Sequence, residues 1–303
     1  MKSKDCYDFL IVGAGPAGCF SAMRLADNGY SVAVLEKEPQ YNRKVCGDGL
    51  SIECICLLKD LGFPVNRFEE SGAIRINKYV FIQNGQETNR LLKEDELAYG
   101  LTRSCTDTIF REYAAEKLGI DFFYQYKVNN ILFKEGYYRI DDFVAKKVIL
   151  ANGVSRSIKI NQIPFFSNRK QAFGLFAVIQ TDKKVDSPFF LFDYDFSKSN
   201  TYAWVFCISP YAYNVGIWEK HPHQVGKRDL ENYLGKKAKN YFCGNIINQS
   251  PFKGAYMGIG EPVESCFEGV YVIGDVANTC NRVSGEGISM AVRSANDLLD
   301  RIL

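Results

Sequence analysis

The 303 residues carry a formal net charge of +2, from 37 basic and 35 acidic side chains, and 47% of them are hydrophobic. Balanced charge removes the electrostatic case for nucleic acid, which needs a basic field to neutralise phosphates. The apolar share supports a substantial core, built as one large domain or two interleaved ones.

In chain order, the first elements read strand, tight turn, helix, strand. Residues 7–12 are an apolar run, and Gly13-Ala14-Gly15-Pro16-Ala17-Gly18 is the turn. Residues 16–28 have helical spacing, and Gly29 sits where a helix end favours a left-handed residue. Residues 31–35 form the second strand and lead to Glu36. An irregular stretch spans 37–49. Residues 73–82 alternate, with Ile74, Ile76, Val80 and Ile82 on one face, as in a strand. Ser104 and Asp107 resemble a capping box for a helix that Gly119 ends. Residues 122–128, 130–133 and 137–140 read as a meander turning at Glu135-Gly136, and 148–151 as a buried strand. From about 165 to 260 aromatics dominate and strand propensity is high, with a helix near 227–240. Residues 270–273 return to a buried parallel strand, and 287–303 form the last helix.

Gly13, Gly15 and Gly18 make a G-x-G-x-x-G pattern between a strand and a helix. Gly13 permits the turn, Gly15 lets backbone approach a pyrophosphate, and Gly18 lets helix and strand pack closely. The helix start offers amides and a favourable dipole to the anion. Glu36, followed by Lys37, lies at the end of the next strand, where a ribose-binding carboxylate belongs. A second glycine-rich region, Gly274-Asp275 with Gly285-Glu286-Gly287-Ile288, follows the strand at 270–273. A plain nicotinamide dehydrogenase has no need of this return; a flavin protein that holds FAD with both ends of its chain does. Glu286 can equally be a first-turn acid that complements the helix dipole.

Together these segments resemble the FAD-binding domain of the para-hydroxybenzoate hydroxylase superfamily. The nearer likeness is to its geranylgeranyl reductase family. Lys44-Val45-Cys46-Gly47-Asp48-Gly49-Leu50 looks like that family's K-x-C-G-x-G segment. Arg103-x-x-x-Asp107 looks like its R-x-x-F-D, Tyr202-Ala203-Trp204-Val205-Phe206 like its Y-x-W-x-F, and Gly285–Ile288 like its GEGI. The resemblance implies that Pro16, Ala17, Cys46, Gly47 and Gly49 line the FAD. It implies contacts from Arg103, Val128, Asp275, Gly287 and Ile288, and a substrate-side wall of Tyr202, Trp204 and Phe206. Cys46 and Tyr202 are the candidates for catalysis, although Cys46 can also be a small residue packed beside a glycine turn. Three positions depart from the pattern. Asn152 replaces an acid in the segment linked to pyridine nucleotide binding, Cys207 stands where proline often follows Y-x-W-x-F, and Arg282 stands where a proline is usual. A shorter or altered substrate cavity is the expectation.

The expected fold is α/β. Residues 1–72, 101–165 and 262–303 form a Rossmann-like FAD-binding domain, and 73–100 and 166–261 an interleaved antiparallel β-rich substrate domain. The expected function is reduction of a carbon–carbon double bond in a prenyl or other lipid-like substrate. Electrons would come from NAD(P)H or a reduced protein carrier. The alternatives are a flavin-dependent monooxygenase or halogenase-like enzyme, and a non-catalytic flavin-binding protein. His221-Pro222-His223 lacks a ligand pattern, so no metal is expected, and the ten cysteines are expected reduced. Residues 1–8 show no export signal and no apolar run reaches the ~20 residues of a bilayer helix. A cytoplasmic location is expected, compatible with peripheral membrane contact.

Overall fold

The computed structural model describes residues 6–40, 46–155, 158–164, 171–196, 201–220, 225–263 and 265–303. Lys44, Val45, His221 and His223 lie outside the described residues. The fold is α/β, with two compact units that each thread through distant parts of the chain. The first unit takes its described residues from the ranges 1–42, 107–170 and 257–303, and the second from 43–106 and 171–256.

The first unit is built on parallel pairing. Strand Tyr7–Val12 lies between Val32–Leu35 and Phe143–Leu150, with Ile120–Phe123 beyond the former and Val270–Val272 beyond the latter. All five run the same way. A parallel sheet is covered on both faces, so its strands read as continuous apolar runs rather than alternating ones. That is why 7–12 and 32–35 are apolar throughout. Leu10, Ile11, Val32 and Val34 are fully buried, and each such side chain contributes about 2 kcal/mol of burial free energy. The antiparallel extension Asn130–Lys134, Tyr137–Ile140, Phe143–Leu150 turns at Glu135-Gly136 as the sequence predicts. The first strand of the expected meander is different: Ile120–Phe123 pairs in parallel with Val32–Leu35, and residues 124–128 are not strand. Local periodicity does not reveal a partner 88 positions away.

One ion pair ties this sheet together at its start. Asp8 accepts hydrogen bonds from the Ser31 amide and hydroxyl, both 2.9 Å, and from Lys146 at 2.8 Å. The Lys146 hydrogen bond, then the Ser31 amide, hold the carboxyl down at about 2, against opposition from burial. A depressed carboxyl stabilises the fold above its unfolded value of 3.8 and loses that contribution as pH falls through 2. Lys146 is solvent-exposed, so screening keeps the effect small. Asp8→Asn is therefore expected to lower stability at pH 7 and to match the parent near pH 2, read by denaturant unfolding at both. An equal deficit at both would show that the loss is not electrostatic.

The second unit is dominated by one antiparallel sheet. Its order is Ile246–Gln249, Gln171–Thr181, Ala212–Glu219, Thr201–Ser209, Phe189–Asp193, Lys78–Gln83, Gln86–Leu91, with Lys253–Gly258 also pairing with Gln171–Thr181; along this path Phe189–Asp193 pairs in parallel with Lys78–Gln83. Helix Lys227–Lys236 packs on it through Leu230, Tyr233 and Leu234. The alternating stretch at 73–82 is two strands, Ile74–Arg75 and Lys78–Gln83, in different sheets. From sequence, 1–72 and 101–165 group in the first domain; the described residues 46–72 and 101–106 cluster with the second unit. The reason is local pairing: Gly49–Leu50 pairs with Tyr99–Gly100, which also pairs with Ile74–Arg75. A Cβ on Gly100 would overlap the Cys207 carbonyl, so only glycine lets this small sheet approach Thr201–Ser209.

Two helices in this unit, Ile52–Asp60 and Asn66–Glu70, are not anticipated from the sequence. Ser51 caps the first, accepting from the Cys54 amide at 3.1 Å, and Gly62 at φ +74° follows it. The helix Arg103–Ala115 begins one residue before Ser104, and the Thr102 hydroxyl accepts from the Cys105 amide at 3.4 Å. Thr102, not Ser104, takes the capping position.

Candidate functional site

The sequence-predicted residues fall into two clusters, one in each unit. In the first unit, the turn after Tyr7–Val12 has the geometry of an anion cradle. Gly13 adopts φ +108°, and a Cβ there would stand 2.5 Å from the Ala151 carbonyl. A Cβ on Gly18 would overlap the Gly13 carbonyl. Helix Pro16–Asp27 starts from Gly15, carries Pro16 in its first turn, and has no side chain capping its amides. Those first-turn amides are orphan donors that suit a diphosphate.

Glu36 is buried, at 5% exposure. Its carboxylate accepts from the Ala14 amide at 2.7 Å and from the Glu38 amide at 3.0 Å. It therefore braces the turn directly. A carboxylate has about four lone-pair sites, so capacity for a sugar hydroxyl remains. Lys37 is exposed and pairs with Glu38 at 3.6 Å. Val128 is buried, just before strand Asn130–Lys134.

The C-terminal segments converge on the same turn. Gly274 has φ +69°, and its Cα lies where a Cβ would touch Ala17 and Ala291 at 3.5 and 3.6 Å. Its amide donates to Ser294 at 2.9 Å. Asp275 follows, half-buried, and one of its oxygens lies 4.0 Å from where a Gly287 Cβ would be. Gly287 then precedes helix Ile288–Ile302, and Ile288 is buried. Asn281 folds the loop before it, its carboxamide oxygen accepting from the Val283 and Ser284 amides at 2.8 and 3.1 Å. Arg282, the departure from proline, donates to the Gly260 carbonyl and to Glu261 at 2.5 and 2.7 Å. Asn152 donates to the Ser155 carbonyl at 3.2 Å.

In the second unit, Cys46, Gly47 and Gly49 rest on an aromatic sheet face. Tyr202, Trp204 and Phe206 alternate along Thr201–Ser209 and point to one side. Phe192, Phe190 and Trp218 extend the face from neighbouring strands. A Cβ on Gly49 would press on Phe190 at 2.9 Å, and one on Gly47 would meet Phe206 at 3.4 Å. The glycines let the loop lie flat on these rings.

Gly216 serves the same end. A Cβ there would overlap the Trp204 ring at Cζ2 and stand 2.6 Å from Cη2. Gly216→Ala is expected to displace the indole and cost about 1–3 kcal/mol. Denaturant unfolding with tryptophan emission measures both; unchanged stability and emission would contradict the close approach.

Polar residues that the sequence does not single out organise this cluster. Asp48, at φ +63° and 2% exposed, accepts from the Arg103 amide at 2.7 Å and from Asn214 at 2.8 Å. Asn214, fully buried, also donates to the Cys46 carbonyl and accepts from the Trp204 indole, both at 2.8 Å. Burial pushes the Cys46 thiol up; the Arg103 charge opposes this and Asp48 adds to it. Cys207 is a buried thiol that burial pushes up to about 12, its sulfur accepting from the Phe189 amide at 3.4 Å. This cysteine-for-proline departure is a packing position. Among the described residues no group of three metal-binding side chains converges.

A family model described as an FAD binding domain matches residues 6–135. The chain is 26% identical to digeranylgeranylglycerophospholipid reductase 1 of Methanococcoides burtonii, over 95% of this chain and 72% of that one. It is also 26% identical to the digeranylgeranylglycerophospholipid reductase of Thermoplasma acidophilum, over 96% and 76%. Among solved structures, it matches a geranylgeranyl bacteriochlorophyll reductase-like protein from Thermoplasma acidophilum with a TM-score of 0.76, at 21% identity over 98% of this chain and 79% of that one. A myxobacterial chondrochloren halogenase matches with a TM-score of 0.72, at 17% identity over 96% and 73%. No helix among the described residues is long and apolar enough to cross a membrane.

Proposed function

We propose that this chain, which is similar to digeranylgeranylglycerophospholipid reductases and matches an FAD binding domain, is an enzyme that reduces carbon–carbon double bonds in a prenyl or other lipid-like substrate. The observation that carries the cofactor is the turn at Gly13–Gly18, where unclaimed first-turn amides, a buried Glu36 brace and the Gly274-Asp275 turn converge. FAD supplies two-electron transfer to carbon when bound.

The chain's own contribution is binding, orientation and exclusion of water. The amides after Gly15 hold the diphosphate. Asp275, Gly287 and Ile288 are proposed as further cofactor contacts, and Cys46, Gly47, Gly49 and Arg103 are proposed as cofactor contacts on the resemblance alone. Tyr202, Trp204 and Phe206 present an apolar face suited to an unsaturated chain and poor in groups that would hold water. The proton that completes reduction is assigned to the Cys46 thiol or the Tyr202 hydroxyl. Burial keeps the Cys46 thiol protonated, as an acid rather than a nucleophile needs. The donor of electrons is proposed to be NAD(P)H or a reduced protein.

The halogenase likeness favours a second reading, an oxygen-using flavin enzyme. Anaerobic titration of the flavin spectrum with NADPH, NADH and dithionite, followed by exposure to air, separates the two. Slow recovery in air, with loss of the double bond in an added prenyl lipid, is the expected result. Rapid recovery with oxygen consumption would select the second reading, and failure to bind FAD would sink both.

A further inference from the structure

We propose that Asn214 is a positioning residue that locks the Cys46–Gly49 loop to the Trp204 indole, so that loop and substrate wall move as one body. The inference rests on the functional reading above for what the loop and wall contact. The coupling itself stands on geometry inside the second unit.

Asn214 sits in Ala212–Glu219, opposite Phe206 in the ladder, and is fully buried. A buried amide is costly unless its groups are paired. Here both N–H groups are used, one on the Cys46 carbonyl and one on Asp48, each at 2.8 Å. Its oxygen takes the Trp204 N–H at 2.8 Å. No other side chain of this size offers two donors and an acceptor from one planar group. Asp48 is a non-glycine residue at φ +63°, a conformation that persists only where its surroundings over-determine it. The Arg103 amide on one carboxylate oxygen and Asn214 on the other supply that constraint. The indole is fixed from its other edge by Gly216. One amide thus sets both the shape of the glycine loop and the plane of the tryptophan.

The test uses the full chain with Trp218→Phe, which leaves Trp204 as the sole tryptophan. Asn214→Leu keeps the branched heavy-atom frame and removes all three hydrogen bonds. Its Trp204 emission is expected to shift, with the FAD dissociation constant raised at least about tenfold. For turnover of an added prenyl lipid, kcat is expected to fall more than KM rises. Asn214→Asp guards against a simple folding failure. It retains the acceptor for Trp204 but faces the Asp48 carboxylate, with Cys46 and Arg103 the other titratable groups at hand. Two such carboxyls ionise together only with difficulty, so the pair takes up a proton as pH falls and can then donate again. FAD affinity of Asn214→Asp is expected to recover between about pH 8 and pH 5, while that of Asn214→Leu stays flat. A folded Asn214→Leu with parental emission and FAD affinity within about twofold would overturn the proposal. So would an Asn214→Asp whose affinity ignores pH. If the parent itself binds no FAD, the functional reading fails, and the Trp204 emission still decides the coupling.

Discussion

Gly18→Ala is expected to yield a protein that no longer retains FAD and unfolds at lower denaturant. The added Cβ would overlap the Gly13 carbonyl and lie 3.1 Å from its carbon. Both contacts are backbone, so no side chain can turn away to make room. Helix Pro16–Asp27 must then slide along strand Tyr7–Val12, and overpacking of this kind costs about 1–3 kcal/mol. The slide also moves the amides that follow Gly15 away from any diphosphate. Loss of that anion site is expected to weaken FAD by roughly a hundredfold or more, equivalent to about 3 kcal/mol. Isothermal titration with FAD and urea unfolding measure the two effects separately. A variant that unfolds earlier yet binds FAD normally would mean that the turn serves packing alone, and the cofactor assignment would have to move elsewhere. Parental behaviour in both would contradict the close helix–strand approach itself.

The glycine turn was legible because it is a local demand on backbone. A strand, three glycines at fixed offsets and a helix start can be read without knowing any distant partner. Strand Ala212–Glu219 shows the limit. Its eight residues are buried on both faces, so Asn214 breaks no visible alternation and reads as one polar residue in a strand. Its role depends on Cys46 and Asp48, more than 160 positions earlier. Asp48 carried a fainter signal: it stands between two glycines in a segment already singled out, yet its left-handed backbone could not be inferred from composition. The strand Ile120–Phe123 and the capping role of Thr102 were missed for the related reason that pairing partners and helix starts are settled by contacts, not by periodicity alone.

The site reading shows the same division. Gly13, Gly15, Gly18, Glu36, Gly274 and Gly287 all fall in one unit. Spacing points Glu36 at a ribose, and its two bonds from backbone amides are not foreseeable from spacing. The aromatic triad Tyr202, Trp204 and Phe206 shares one sheet face because a strand's period is two. Why Gly47 and Gly49 must be glycine became clear only when Phe206 and Phe190 were seen beneath them.

Arg111 is the residue outside the motifs with the largest expected effect on the cradle. A helix arginine reads from sequence as a solvated charge, yet Arg111 is 3% exposed. Its Nε donates to the Ala14 carbonyl at 2.9 Å, and its guanidinium also donates to the Gln40 carbonyl. It therefore ties the glycine turn, through Ala14, to the segment that follows the second strand. Glu36 holds the same residue by its amide. Ala14 is thus gripped from both sides, which fixes the turn before any anion arrives. Asp107, also buried, lies one turn earlier on the helix. Arg111→Met keeps the apolar stem but strips both carbonyls of their donor. Leaving two carbonyls without their donor costs about 1–3 kcal/mol each. The expected result is a fall in melting temperature on the order of 5–10 °C, with FAD affinity lowered at least about tenfold. Arg111→Lys is expected to recover little, because an ammonium cannot span two carbonyls as a planar fork does. Differential scanning calorimetry and FAD titration on both variants decide the matter. A lower melting temperature with parental FAD affinity would reduce Arg111 to a stabiliser of the first unit, and full rescue by lysine would show that charge, not the fork, is what the turn requires.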